Sequence, residues 1–97
     1  MNKKENISKA TEELEKIINN ENEKNKFKRI LKLEKKYPDD VGILQVISRN
    51  YLAAGDNTKA LNYLLKAKSI APKNFSIHYN LGSLYQTFKK DDDAIKF

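Results

Sequence analysis

Pro38 and Pro72 stand 34 positions apart, and many residues around them keep the same step. Tyr51 pairs with Tyr85, Ile47 with Leu81, Ser48 with Gly82, Asn57 with Asp91, Ala60 with Ala94, Leu61 with Ile95, and Val41 with Phe75. Each pair joins residues of like physical character. A unit this short cannot enclose a core by itself, so repetition at this step restricts the chain to units that stack and bury their apolar faces against one another.

The spacing inside a unit predicts two helices. In residues 53–72, Gly55 supplies a left-handed residue that closes one helix, Asp56, Asn57 or Thr58 caps the next, and Pro72 ends it. Between them Ala60, Leu61, Leu64, Ala67 and Ile70 recur at steps of three and four, with Leu65 beside them. The alanines let a neighbouring backbone come close. The same reading predicts a first helix over 7–18 through Ile7, Ala10, Leu14, Ile17 and Ile18, and a second over 23–37, stopped by Pro38. A third over 41–54 buries Ile43 or Leu44, Ile47, Tyr51 and Leu52. A fifth over 75–88 uses Phe75, His78, Leu81, Leu84, Tyr85 and Phe88. A sixth opens at Asp93-Ala94-Ile95 after a break at 89–92. No stretch alternates with period two for long enough to form a strand.

The chain has 97 residues, enough for one domain. It lacks cysteine, which excludes a disulfide framework and a thiolate metal site and fits a reducing, cytoplasmic setting. No apolar run near the start reads as a signal peptide or a membrane span. The net charge of +6 raises nucleic acid as a partner, but the excess is spread along the chain. Its densest run, Lys24 to Lys36, alternates with Phe27, Ile30, Leu31 and Leu33 as a solvated helix face does, and only Arg29 and Arg49 are arginines. The lysines read first as a solubilising surface, and nucleic acid or an acidic protein partner are the lesser alternatives.

The middle unit resembles the tetratricopeptide repeat (TPR): Leu44, Ile47-Ser48, Tyr51, Gly55, Ala60, Leu64, Ala67 and Pro72 follow that family's pattern. The third unit follows it at His78, Leu81-Gly82, Tyr85 and Ala94. The first, over 7–40, is degenerate, with Lys26 where Ala60 and Ala94 stand and Leu14 where a small residue belongs. The resemblance implies an all-α fold of antiparallel helix-turn-helix repeats stacked as a right-handed α-solenoid. It would form a single domain over 1–97, with a full repeat over 41–74 and a truncated one over 75–97. The cut at Phe97 makes the chain the expected N-terminal part of a longer protein, or one that pairs with a second copy through its unpaired third unit.

In the resembling family the first helices line a concave groove that receives a peptide or partner helix. Carried onto this chain, that implies a protein-interaction scaffold with groove residues Gln45, Arg49, Tyr79, Asn80, Ser83 and Gln86, and, around them, Thr11, Glu12, Glu15, Asn19, Ala53 and Thr87. The alternatives are a basic helical array for nucleic acid and a self-association module. Asn80 matches one asparagine of the family's carboxylate clamp, but Gln45 and Ser83 replace other clamp residues and the lysines are missing. Catalysis finds no support. His78 stands alone where the repeat wants a large ring, Asp91-Asp92-Asp93 reads as helix capping, and no phosphate loop or nucleophile elbow occurs. No cofactor, metal or membrane partner is expected.

Overall fold

The computed structural model describes the backbone of residues 2–20 and 25–95, and the side chains of 9–20 and 25–89. Five helices follow one another: α1 (Asn2–Ile18), α2 (Lys26–Lys36), α3 (Val41–Ala53), α4 (Asn57–Ile70) and α5 (Phe75–Ile95). No strand occurs among the described residues. The starts of α3, α4 and α5 are fixed by side-chain caps. Asp40 accepts the amide of Ile43 at 3.1 Å, Asp56 that of Lys59 at 3.1 Å, and Asn74 that of Ile77 at 3.2 Å. Each cap satisfies one of the amides that a helix start leaves open. Asp40 and Asn74 are themselves one 34-residue step apart.

The helices form two layers. First helices α1, α3 and α5 make one; α2 lies against α1 and α3, and α4 against α3 and α5. The closest pairing is α3 with α4. There Ser48, 1 % exposed, donates its hydroxyl to the carbonyl of Ala60 at 3.0 Å, and Ala60 and Ala67 are wholly buried. A small side chain at each of these positions lets the two backbones meet. Leu44, Leu64, Ile77, Leu81 and Leu84 complete this core, while Ala10, Leu14, Ile17, Ile30, Leu33, Ile43 and Ile47 form a second one around α1 to α3. An aromatic seam joins the two. The Tyr51 ring lies edge-on to Phe27 at 5.0 Å and stacks on Tyr63 at 5.7 Å, and the Tyr63 hydroxyl donates to Glu34 at 3.0 Å. Burial first, and that bond second, push the Tyr63 phenol up to about 12.

The first pair departs from the second where its sequence does. Leu14 is buried rather than replaced by a small residue, and Lys26, standing where Ala60 does, sends its ammonium to the Ile18 carbonyl at 2.8 Å. That contact caps the C-terminus of α1 with a cation. α1 and α2 are correspondingly less closely paired than α3 and α4.

The expected break at 89–92 is absent: α5 runs through it without interruption, and no sixth helix folds back among the described residues. The cause is legible in the register. Gly55, with φ of 84°, closes α3, and Asp56 caps α4; one step later stand Lys89 and Lys90, which do neither. With no returning helix, Gly82 is exposed where Ser48 is buried, and Tyr85 is 52 % exposed. The buried stripe of α5 is also different from the one expected. It runs through Ile77, Leu81 and Leu84, with Phe88 half-buried, while Phe75, His78 and Tyr85 are exposed. Likewise Ile18, Leu65 and Ile70 are largely exposed rather than buried. The side chains of Ile7, Asp91, Asp92, Asp93, Ala94 and Ile95, and the whole of Phe97, lie outside the described residues.

Gly55 carries the one positive φ among the described residues, and nothing lies within 4 Å of where its Cβ would be. Gly55→Ala is therefore expected to cost only the left-handed backbone penalty, about 1–2 kcal/mol, and Gly55→Asn less. Thermal melting of both variants checks this; equal losses would show that the turn is not controlled by φ.

A candidate peptide groove between the first helices

Adjacent first helices α3 and α5 leave a hollow of about 510 Å³ between them, lined by Gln45, Arg49, Phe75, Ser76, Tyr79 and Asn80. Helical spacing brings them together. Gln45 and Arg49 are one turn apart on α3, and Phe75 and Tyr79 one turn apart on α5, so each pair projects from one face of its helix. Burial of Ile43, Leu44 and Ile47 on α3 and of Ile77, Leu81 and Leu84 on α5 turns these faces away from the core.

Two properties mark the hollow. Its aromatic rings are open, Phe75 being 81 % and Tyr79 66 % exposed. Its polar side chains are also unengaged: Gln45, Arg49, Ser76, Tyr79 and Asn80 make no side-chain hydrogen bond or ion pair among the described residues. Asp56 does not pair with Arg49, being taken by Lys59 at 3.9 Å and by the α4 cap. The lining thus combines one guanidinium, two amide side chains, two hydroxyls and two open rings. Such a set can hydrogen-bond an extended backbone, pair with a carboxylate and cover an apolar side chain.

Four of the six sequence-derived groove residues, Gln45, Arg49, Tyr79 and Asn80, lie in this hollow; Ser83 and Gln86 are exposed farther along α5, outside its lining. Thr87, beside them, donates its hydroxyl to the Ser83 carbonyl at 3.2 Å. Thr11, Glu12, Glu15 and Asn19 are exposed on α1, and Ala53 at the end of α3, also outside the hollow. Phe75 and Ser76 were missed, because Phe75 was assigned to the core. The step from Ile43 to Ile77 would have set the buried stripe and released Phe75. His78 is likewise not a core ring: it is exposed, and its Nε2 donates to the Pro72 carbonyl at 2.5 Å, closing the connector before α5. Among the described residues no group of three His, Cys, Asp or Glu gathers that could hold a metal, and no helix is long and apolar enough to cross a membrane.

Paired antiparallel helices at a 34-residue step, with a serine and alanines at the joint and an open face on the first helices, define a helical-repeat protein. Residues 49–87 match the family model described as TPR repeat, a repeat that generally mediates protein–protein interaction. Comparison with curated proteins and with solved structures yields no significant match.

Proposed function

We propose that the chain is a protein-interaction scaffold that holds an extended peptide or a partner helix in the hollow between α3 and α5. The observation that carries this reading is the hollow's lining of open rings and unengaged polar groups around Arg49. The open rings of Phe75 and Tyr79 expose apolar surface to water, and a ligand that covered them would relieve that cost. Arg49 would meet a carboxylate of the ligand, Phe75 and Tyr79 would cover an apolar side chain, and Gln45 and Asn80 would bond its backbone. Ser83 and Gln86 would extend the contact along α5. A cysteine-free chain suits a reducing compartment, in keeping with a cytoplasmic role.

The test is a pair of substitutions, Arg49→Ala with Tyr79→Ala. Peptides selected from a displayed random library on the native chain should bind the double variant at least about tenfold more weakly, the loss of one charge-assisted contact and one ring. Helicity by circular dichroism should be unchanged, since both side chains are exposed. Retention of full affinity would place the groove elsewhere.

A further inference from the structure

A second hollow, about 520 Å³, opens between α1 and α2 and has a different chemistry. Its rim carries Lys16 from α1 and Arg29, Lys32 and Lys36 from α2, and its floor is the nearly buried side chains of Ile17 and Leu33. The one carboxylate in the lining, Glu13, is already held. The Tyr37 hydroxyl donates to it, Lys36 pairs with it at 3.0 Å, and these two contacts, in that order, hold its carboxyl below the usual range. The same bond pushes the Tyr37 phenol up, and Glu13 raises the Lys36 ammonium. Of the other lining groups, Lys16 adds only through-space attraction to Glu13 and Lys32 makes no hydrogen bond or ion pair among the described residues, whereas Asn20 and Arg29 are engaged in contacts of their own.

We infer that this hollow is a second docking site, for a short acidic peptide segment that carries an aliphatic side chain between its carboxylates. Charge complementarity selects the acid: cationic groups concentrated in one concavity raise the local concentration of anions and speed their capture. The floor selects the aliphatic group, because the apolar side chains in the lining are those of Ile17 and Leu33. A nucleic acid fits less well. The lining has no aromatic ring on which a base could stack, and one arginine rather than several is present. A free inorganic anion would fill little of the volume and leave the floor uncovered. The site is built from α1, Asn20 just beyond it and α2, so it shares no residue with the hollow on α3 and α5.

The probe is an acetylated, amidated pentapeptide with a leucine between two pairs of acidic residues, titrated at low ionic strength into the native chain. Binding is read from the methyl resonances of Ile17 and Leu33. Those resonances should move, the affinity should fall as salt is raised, and Lys16→Gln with Lys32→Glu should weaken binding about tenfold or more. Neither lysine takes part in the Glu13–Lys36–Tyr37 contact, so helicity should hold. Arg49→Ala with Tyr79→Ala should leave this titration unchanged, which lets the two sites fail separately. Four results would each overturn the inference: equal binding of the peptide with its acids replaced by amides; shifts confined to other methyl groups; undiminished affinity in the lysine variant; or a single-stranded oligonucleotide of random sequence moving the same methyls at lower concentration.

Discussion

Replacing Leu64 with alanine is expected to remove about 2–5 kcal/mol of stability, while the same replacement at Leu65, one residue away, should remove well under half of that. Leu64 is 1 % exposed and sits among Leu44, Ala60, Ala67, Ile77, Leu81 and Leu84, where α4 lies between α3 and α5. Its deletion leaves a cavity that two neighbouring helices share, and the close joint of α3 with α4 prevents either from collapsing into it. Leu65 is 40 % exposed and points away from that core. A domain of this length has a total stability on the order of 5–15 kcal/mol, so the first change consumes a large share of it and the second does not. Urea denaturation of both variants measures the difference. Similar losses at the two positions would mean that the α4 stripe is rotated by one residue from the arrangement described. Because units in such arrays are stabilised through their interfaces with neighbours, the Leu64 variant should also lose protection from hydrogen exchange in α3 and α5, not in α4 alone.

The contrast between Leu64 and Leu65 illustrates what a repeating sequence reveals and what it conceals. Positions that recur at the 34-residue step with small or aliphatic residues, such as Ala60, Ala67 and Ile47, lie in the core as the register implies. In α5 the helical period leaves the buried stripe open. Phe75, His78, Leu81, Leu84, Tyr85 and Phe88 satisfy steps of three and four as well as Ile77, Leu81, Leu84 and Phe88 do, because both stripes pass through Leu81, Leu84 and Phe88. The register decides between them, since Ile43 maps onto Ile77 and both are wholly buried. The helix break expected at 89–92 rested on the polar run Lys89-Lys90-Asp91-Asp92. Polarity does not stop a helix; a left-handed residue and a cap do, and the step from Gly55 and Asp56 leads to two lysines. Both hollows depend on pairing between separate helices. Gln45, Arg49, Tyr79 and Asn80 were legible because the family resemblance specifies which helices face the groove. The basic hollow was not, because Lys16 and Lys32 belong to separate helices, and a lysine run read along one helix looks like an ordinary solvated face.

Ala60→Leu is expected to cost about 1–3 kcal/mol, by a route opposite to the Leu64 cavity. Ala60 is wholly buried, and its carbonyl accepts the hydroxyl of Ser48 across the closest helix pairing in the fold. A larger side chain at that point must push α3 from α4, and the separation has a polar consequence as well as a steric one. Ser48, 1 % exposed, would lose its acceptor while staying out of water, and an unsatisfied buried hydroxyl costs about 1–3 kcal/mol. The two losses overlap, since relief of the first creates the second, so the sum is not expected to be additive. Ser48→Gly separates them. It gives room at the joint and removes the orphaned hydroxyl, and it reproduces the residue that stands one step later at Gly82. In the Ala60→Leu background it should therefore restore part of the stability, whereas in the native background it should destabilise. A double-mutant cycle by thermal unfolding reads the coupling. Its absence would mean that Ser48 and Ala60 do not meet, and the stacking of α3 on α4 would have to be redrawn. The first pair supplies a natural comparison: there Leu14 and Lys26 occupy the two positions, the lysine turns out to cap α1, and the helices stand less closely paired.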